Sequence, residues 1–85
     1  MGPYNIYFKK SVEKDLRAIP KADLRRILSK ISQLQDELRP HGCERLTGQE
    51  RYRIRQGHYR IVYSIQDTEL TVWVVKVGHR KEIYR

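Results

Sequence analysis

The sequence has a single cysteine, tryptophan, phenylalanine and methionine, and it has no long apolar run. Each shortage closes off a class of protein. One thiol, Cys43, excludes an intramolecular disulfide. There is no Cys-x-x-Cys, and His41, His58 and His79 do not stand at metal-ligand spacing, so no metal and no cofactor are expected. No stretch approaches the ~18 apolar residues that a membrane span needs. The opening Met1-Gly2-Pro3-Tyr4 lacks a signal-peptide apolar region, and Ile6 stands where a myristoylation site needs Ser or Thr. No membrane contact and a cytoplasmic location are therefore expected. Repeats, low-complexity segments and linkers are missing too. Residues 1–85 are expected to form one domain.

What the chain has in surplus is positive charge, a formal net of +8. That suits a polyanionic partner, either nucleic acid or an acidic protein. Residues 1–40 and residues 41–85 each hold nine basic and five acidic residues. In the first half the signs are interspersed at helical spacing, the pattern of a solvated surface. In the second half four arginines fall between Arg51 and Arg60 with no acid among them.

Tyr4 to Phe8 reads as a short strand. Ser11 is placed as an N-cap, and Val12, Leu16 and Ile19 form one stripe of a helix that stops at Pro20. A second helix is expected from Pro20, its stripe running through Leu24, Ile27, Leu28, Ile31, Leu34 and Leu38 until Pro40 and Gly42 end it. Residues 41–50 read as a loop, with Leu46 its anchor. The period then changes from 3.6 to 2: Tyr52 and Ile54 alternate with arginines, and Tyr59, Ile61, Tyr63 and Ile65 alternate with Arg60, Val62, Ser64 and Gln66. After a turn at Asp67-Thr68, Leu70 to Val77 reads as a buried strand. The expected fold is α+β, in the order β-α-α-β-β-β: an antiparallel sheet with an N-terminal helical hairpin packed on one face.

A two-residue turn at Gln56-Gly57 would set Arg55 against His58, Ile54 against Tyr59 and Arg53 against Arg60. Tyr52, Ile54, Tyr59 and Ile61 would then face the helices, and Arg53, Arg55 and Arg60 would share the other face. Like charges opposed across a sheet cost up to ~1 kcal/mol, and an anion between them reverses the sign. A guanidinium fork also matches phosphate oxygens two at a time. On the parity of Arg60 the last strand would place Trp73 and Val75. Trp73 is open to three readings: a stacking platform for a base, a core residue, or a hydrophobic seat for a partner.

Tyr52-Arg53-Ile54-Arg55, then Gly57-x-Tyr59-Arg60-Ile61-Val62-Tyr63, then Val77-Gly78-His79-Arg80 with Ile83-Tyr84 after three residues, resemble the signature of the RelE/ParE toxin superfamily, in its RelE branch. The likeness covers nearly the whole chain. It implies a type II toxin, a metal-independent endoribonuclease that cuts mRNA in the ribosomal A site through a 2′-hydroxyl nucleophile. By motif position it implies that Arg53, Arg55, Arg60, Arg80 and Tyr84 carry the reaction. The expected catalytic set is Arg55, Arg60, Arg80 and Tyr84, and Arg51, Arg53, Lys81, His79 and Trp73 are the residues expected to bind RNA or its phosphates. The implied partners are a cognate antitoxin, the ribosome with its mRNA, and operator DNA only through the antitoxin complex. A family member that is well known has lysines where this chain has Arg53 and Arg55. Arginine is a poor proton acceptor, its pKa lying above about 12, so the base stays open between Tyr84, His79 and His58. Two other functions are alternatives: a gyrase-directed ParE-like toxin, of the same fold but in a branch that generally lacks the tyrosine and the full basic set, and a basic module that binds nucleic acid without cutting it.

Overall fold

The computed structural model describes residues 3–46, 48 and 50–79. Strand β1 (Asn5–Phe8) leads into helices α1 (Lys10–Arg17) and α2 (Lys21–Gln33). Four strands follow: β2 (Glu44–Arg45), β3 (Arg51–Gln56), β4 (Tyr59–Gln66) and β5 (Thr71–His79). They form one sheet in the order β1-β5-β4-β3-β2. The α+β class and the order of helices and long strands match the expectation. The sheet itself is mixed, because β1 runs parallel to β5 while the other pairs are antiparallel. Parallel partners need a crossover, which α1, α2 and the remaining strands together provide.

The apolar stripes do the packing. Val12 and Ile19 join Ile27, Ile31 and Leu34, and these five meet Ile54, Ile61, Tyr63, Ile65, Val72, Val74 and Val77 of the sheet in one core. Burial of each such aliphatic side chain stabilises by about 1.5–3 kcal/mol. Helix α1 packs on β5, and α2 packs on β3 and β4. Asp15 of α1 also accepts the Val77 backbone N–H and holds Lys76 at 3.3 Å. It thereby satisfies the β5 edge where β1 has ended.

Several boundaries move. Lys9, not Ser11, is the N-cap of α1, since the Lys9 N–H is tied to the Val74 carbonyl and Lys9 accepts from Val12. Pro20 is the N-cap of α2 and accepts from Leu24. The regular ladder of α2 ends at Gln33; bonds from Leu34, Gln35 and Asp36 to the third residue back then tighten the coil. Leu28 lies outside the buried stripe, 40% exposed. Residues 44–45, read as loop, pair with β3, and Leu46 is held by its N–H to the Arg51 carbonyl. The β4–β5 connection is a 3-10 turn, Asp67–Glu69, closed by Leu70 in the left-handed region at φ 49°.

The β3–β4 turn is Gly57-His58, closed by Gln56 opposite Tyr59. Positive φ occurs at Gly57 and not at His58, the pattern of a type II′ turn with glycine first. A turn at Gln56-Gly57 would have put glutamine at the first position, which that pattern gives to glycine. The correction shifts the register by two residues, so every side chain keeps its face. Arg55, not Arg53, is opposite Arg60, and Arg53 is opposite Val62.

Candidate active-site cleft

The arginine-bearing face of the hairpin ends in a cleft of about 360 Å³ lined by Lys30, His41, Glu44, Arg53, Arg55 and Arg60, with Gly42 and Ile54. Strand β3 sets Arg53 and Arg55 two residues apart and so on one face, and β4 adds Arg60 directly across from Arg55. Opposed residues have Cβ atoms about 4.5–5.5 Å apart. The two guanidinium stems therefore start side by side.

The three arginines are held differently. Arg60 is 7% exposed, and its Nη1 donates to the Tyr59 carbonyl at 3.4 Å. Arg53 is pinned by Glu44, Nη2 to Oε1 3.1 Å, with its side chain 16% exposed. Arg55 is exposed. Arg60 is buried and Arg53 is braced by Glu44, while Arg55 is the most exposed of the three.

Glu44 is the residue that sequence reading passed over. It is an acid among cations, 63% exposed at its side chain, brought there by the pairing of β2 with β3. The cleft gains Lys30 from α2 and His41 from the following segment in the same way. A two-residue strand leaves no periodic trace, so nothing in the sequence marks Glu44. Its place depends on the Glu44–Arg53 register. Carboxylate oxygens are acceptors, which guanidinium is not.

A second cluster supports this wall. The buried Tyr63 hydroxyl donates to the Leu38 carbonyl at 2.7 Å and lies 3.3 Å from Cys43 Sγ. Burial, then the Cys43 contact, push the Tyr63 phenol far above its ordinary range. Tyr63 stacks on Tyr52, over which the Arg39 guanidinium sits at 5.0 Å while its Nε donates to the Tyr52 hydroxyl. These contacts fasten the 38–43 segment to β3 and β4, and so position His41 and Glu44.

The other expected site residues separate into groups. Trp73 pairs with Ser64, which also pairs with Arg51, and the Trp73 and Tyr7 rings lie 5.3 Å apart, tilted by 32°. That row shares the arginine face, but Ser64 is four residues from Arg60, about 13 Å along the strand. Arg51 and Trp73 therefore do not line the cleft. Val75 is displaced by the irregularity opposite Val62 and Tyr63. His79 pairs with Tyr59, on the opposite parity from Arg60, and makes ring contacts to Tyr59 and His58. Arg80, Lys81 and Tyr84 lie outside the described residues. Among the described residues no three His, Cys, Asp or Glu side chains gather where they could hold a metal, and no helix is long and apolar enough to cross a membrane.

Residues 6–84 match the family model described as the ParE toxin of type II toxin-antitoxin system, parDE. Toxin RelG of Mycobacterium tuberculosis is 30% identical over 89 residues, spanning 98% of each chain. The RelBE2 toxin-antitoxin complex of the same organism superposes with a TM-score of 0.81 at 27% identity, covering 92% of this chain and 99% of the other. The archaeal RelE-RelB complex from Pyrococcus horikoshii gives a TM-score of 0.77 at 31% identity, covering 91% and 94%.

Proposed function

The chain belongs to the ParE toxin family of type II toxin-antitoxin systems, within the RelE/ParE superfamily, and we propose that it is a ribosome-dependent endoribonuclease that cuts mRNA in the ribosomal A site. The observation that carries this reading is the cleft, where Arg55 and Arg60 are directly opposed and Arg53 is braced by Glu44. RNA contains its own nucleophile, the 2′-hydroxyl. An enzyme need only orient it, take its proton, stabilise charge at the phosphate and protonate the leaving 5′-oxygen. The products are a 2′,3′-cyclic phosphate and a 5′-hydroxyl.

Roles follow from chemistry and placement. Arg60, buried and aligned in advance, stabilises charge on the phosphate in the transition state, and Arg55 closes on the phosphate from across the hairpin. One such donor contributes about 3–4 kcal/mol. Arg53 orients Glu44, and Glu44 takes the 2′-hydroxyl proton, work that no guanidinium in the cleft can do. Arg80 stabilises or protonates the leaving oxygen, and Tyr84 stacks on the nucleotide or moves a proton. Arg51, Lys81, His79 and Trp73 contact RNA beyond the scissile phosphate, Trp73 with Tyr7 as an aromatic platform. The partners are the ribosome with its mRNA and a cognate antitoxin, the latter in line with relatives solved as toxin-antitoxin complexes. Operator DNA is reached through that complex, and the setting is the cytoplasm.

Primer extension on a translated mRNA incubated with purified protein tests the reading. Cuts confined to ribosome-occupied codons are expected. Intact mRNA, with supercoiling by gyrase blocked instead, would replace this function with the gyrase-directed one.

A further inference from the structure

We propose that the outer face of α2 holds a second binding site for RNA backbone, a basic groove that takes phosphodiesters of the same strand beyond the scissile one. This rests on the cleft being the RNA-cutting site. Lys30 joins the two. It lines the cleft, and it also lines a shallow groove with Arg25, Arg26, Ser29, Gln33 and Gln56. Gln56 is the residue after Arg55 on β3, so the hairpin that presents Arg55 to the cleft also borders the groove.

Helix geometry makes the groove continuous. Arg26, Ser29, Lys30 and Gln33 are spaced at i, i+3, i+4 and i+7 and lie on one face. Arg26 and Lys30 are about 6 Å apart along the axis. Arg25 and Arg26 are exposed, and Ser29, Gln33 and Gln56 add neutral donors suited to phosphate oxygens. Asp23 approaches Arg26 at 3.9 Å, but both side chains are largely exposed and such a pair is worth little.

The direction of the strand follows from an asymmetry around Lys30. A second groove leaves Lys30 towards the C-terminal end of α2, lined by Gln33, Leu34, Asp36, Glu37 and Pro40. A polyanion meets two carboxylates there. The groove towards Arg25 and Arg26 has no acidic lining. RNA leaving the cleft over Lys30 is therefore drawn towards the N-terminal half of α2.

Fluorescence anisotropy with two labelled single-stranded RNAs, a trinucleotide and a dodecamer, across a potassium chloride series tests this. The variants are R25A/R26A in the groove, K9A/K10A as a control with the same loss of charge at the start of α1, and R55A in the cleft. Arg25, Arg26, Lys9 and Lys10 are all exposed, and circular dichroism verifies that each variant is folded. R25A/R26A is expected to lower the dodecamer's log-log salt slope by about 1.4, two phosphate contacts at ~0.7 each. It should leave trinucleotide binding unchanged, and K9A/K10A should leave the dodecamer slope near that of the wild type. Equal effects of the two double variants on the dodecamer would overturn the groove. R55A should weaken both RNAs. Unchanged trinucleotide binding by R55A would instead count against the cleft, whatever α2 does.

Discussion

Glu44 stands directly across the β2–β3 ladder from Arg53, and its Oε1 lies 3.1 Å from Arg53 Nη2. The contact puts the acceptor oxygens of a carboxylate into a cleft whose other charged side chains, those of Lys30, Arg53, Arg55 and Arg60, are basic. Glu44→Gln keeps the shape and one acceptor oxygen but gives up the charge and the basicity. Single-turnover cleavage of ribosome-bound mRNA should fall by about a hundredfold or more, the usual contribution of a general base. Retention of the wild-type rate would remove Glu44 from the reaction.

Arg60→Ala is expected to lower the cleavage rate by about a hundred- to a thousandfold, as loss of one preorganised donor does elsewhere. Combined with Tyr84→Phe, it should express in cells without growth arrest and still co-purify with the antitoxin. Full toxicity of the double variant would show that the face is misassigned.

Arg55 has opposite effects on stability and on activity. Replacing it with threonine removes a like-charge opposition to Arg60 and supplies a strand-favouring side chain. Urea unfolding of the isolated protein should shift upwards by up to ~1 kcal/mol, while RNA cleavage falls. A destabilised variant would mean that the opposed pair is already compensated without substrate.

Tyr63 fixes a pH dependence. Its hydroxyl is bonded to the Leu38 carbonyl, and its pKa in the folded protein is raised by burial and by the Cys43 contact. Tyr4 is also raised, chiefly through its bond to Asp67. For a raised pKa, the unfolded chain loses its proton first. Stability is therefore held up to the ordinary phenol value of about 10 and is lost as pH rises beyond it. Thermal unfolding of the wild type should weaken from about pH 10 upwards. Tyr63→Phe should cost about 1–3 kcal/mol at neutral pH and show a shallower alkaline loss.

Leu70 has the one positive φ among the described residues other than glycine, and it is 45% exposed. A left-handed conformation costs a branched side chain about 1–2 kcal/mol, and asparagine tolerates it better. Leu70→Asn should raise the midpoint of chemical unfolding without changing cleavage. A lower midpoint would mean that the Leu70 side chain stabilises more than its backbone strains.

The arginine face was legible because alternation fixes parity, and parity survives a register error of two residues. Arg53, Arg55 and Arg60 therefore share a face even though the opposed pair is Arg55 with Arg60. The register was less legible, since it depends on whether Gly57 takes the first or the second place in the turn. Pairings distant in sequence left still less trace. The Glu44–Arg53 match rests on two residues of strand, and the Asn5–Thr71 match on contacts between the two ends of the fold. Glu44 and Lys30 in the cleft follow from such tertiary placement. The exposure of Leu28 shows the same limit from the other side, because a stripe gives an apolar face but not how far the sheet extends beneath it.

The parallel pairing of β1 with β5 has a consequence for the order of synthesis. Strand β5 is inserted between β1 and β4, so an interior place in the sheet is filled by the last strand described. A nascent chain still holding that segment inside the exit tunnel cannot join its first strand to the rest. Contacts so far apart in sequence also slow folding. The cleft hairpin, β3 and β4, is synthesised before β5, but the sheet behind it is then incomplete, so a toxin of this build should become competent only after β5 has left the ribosome that made it.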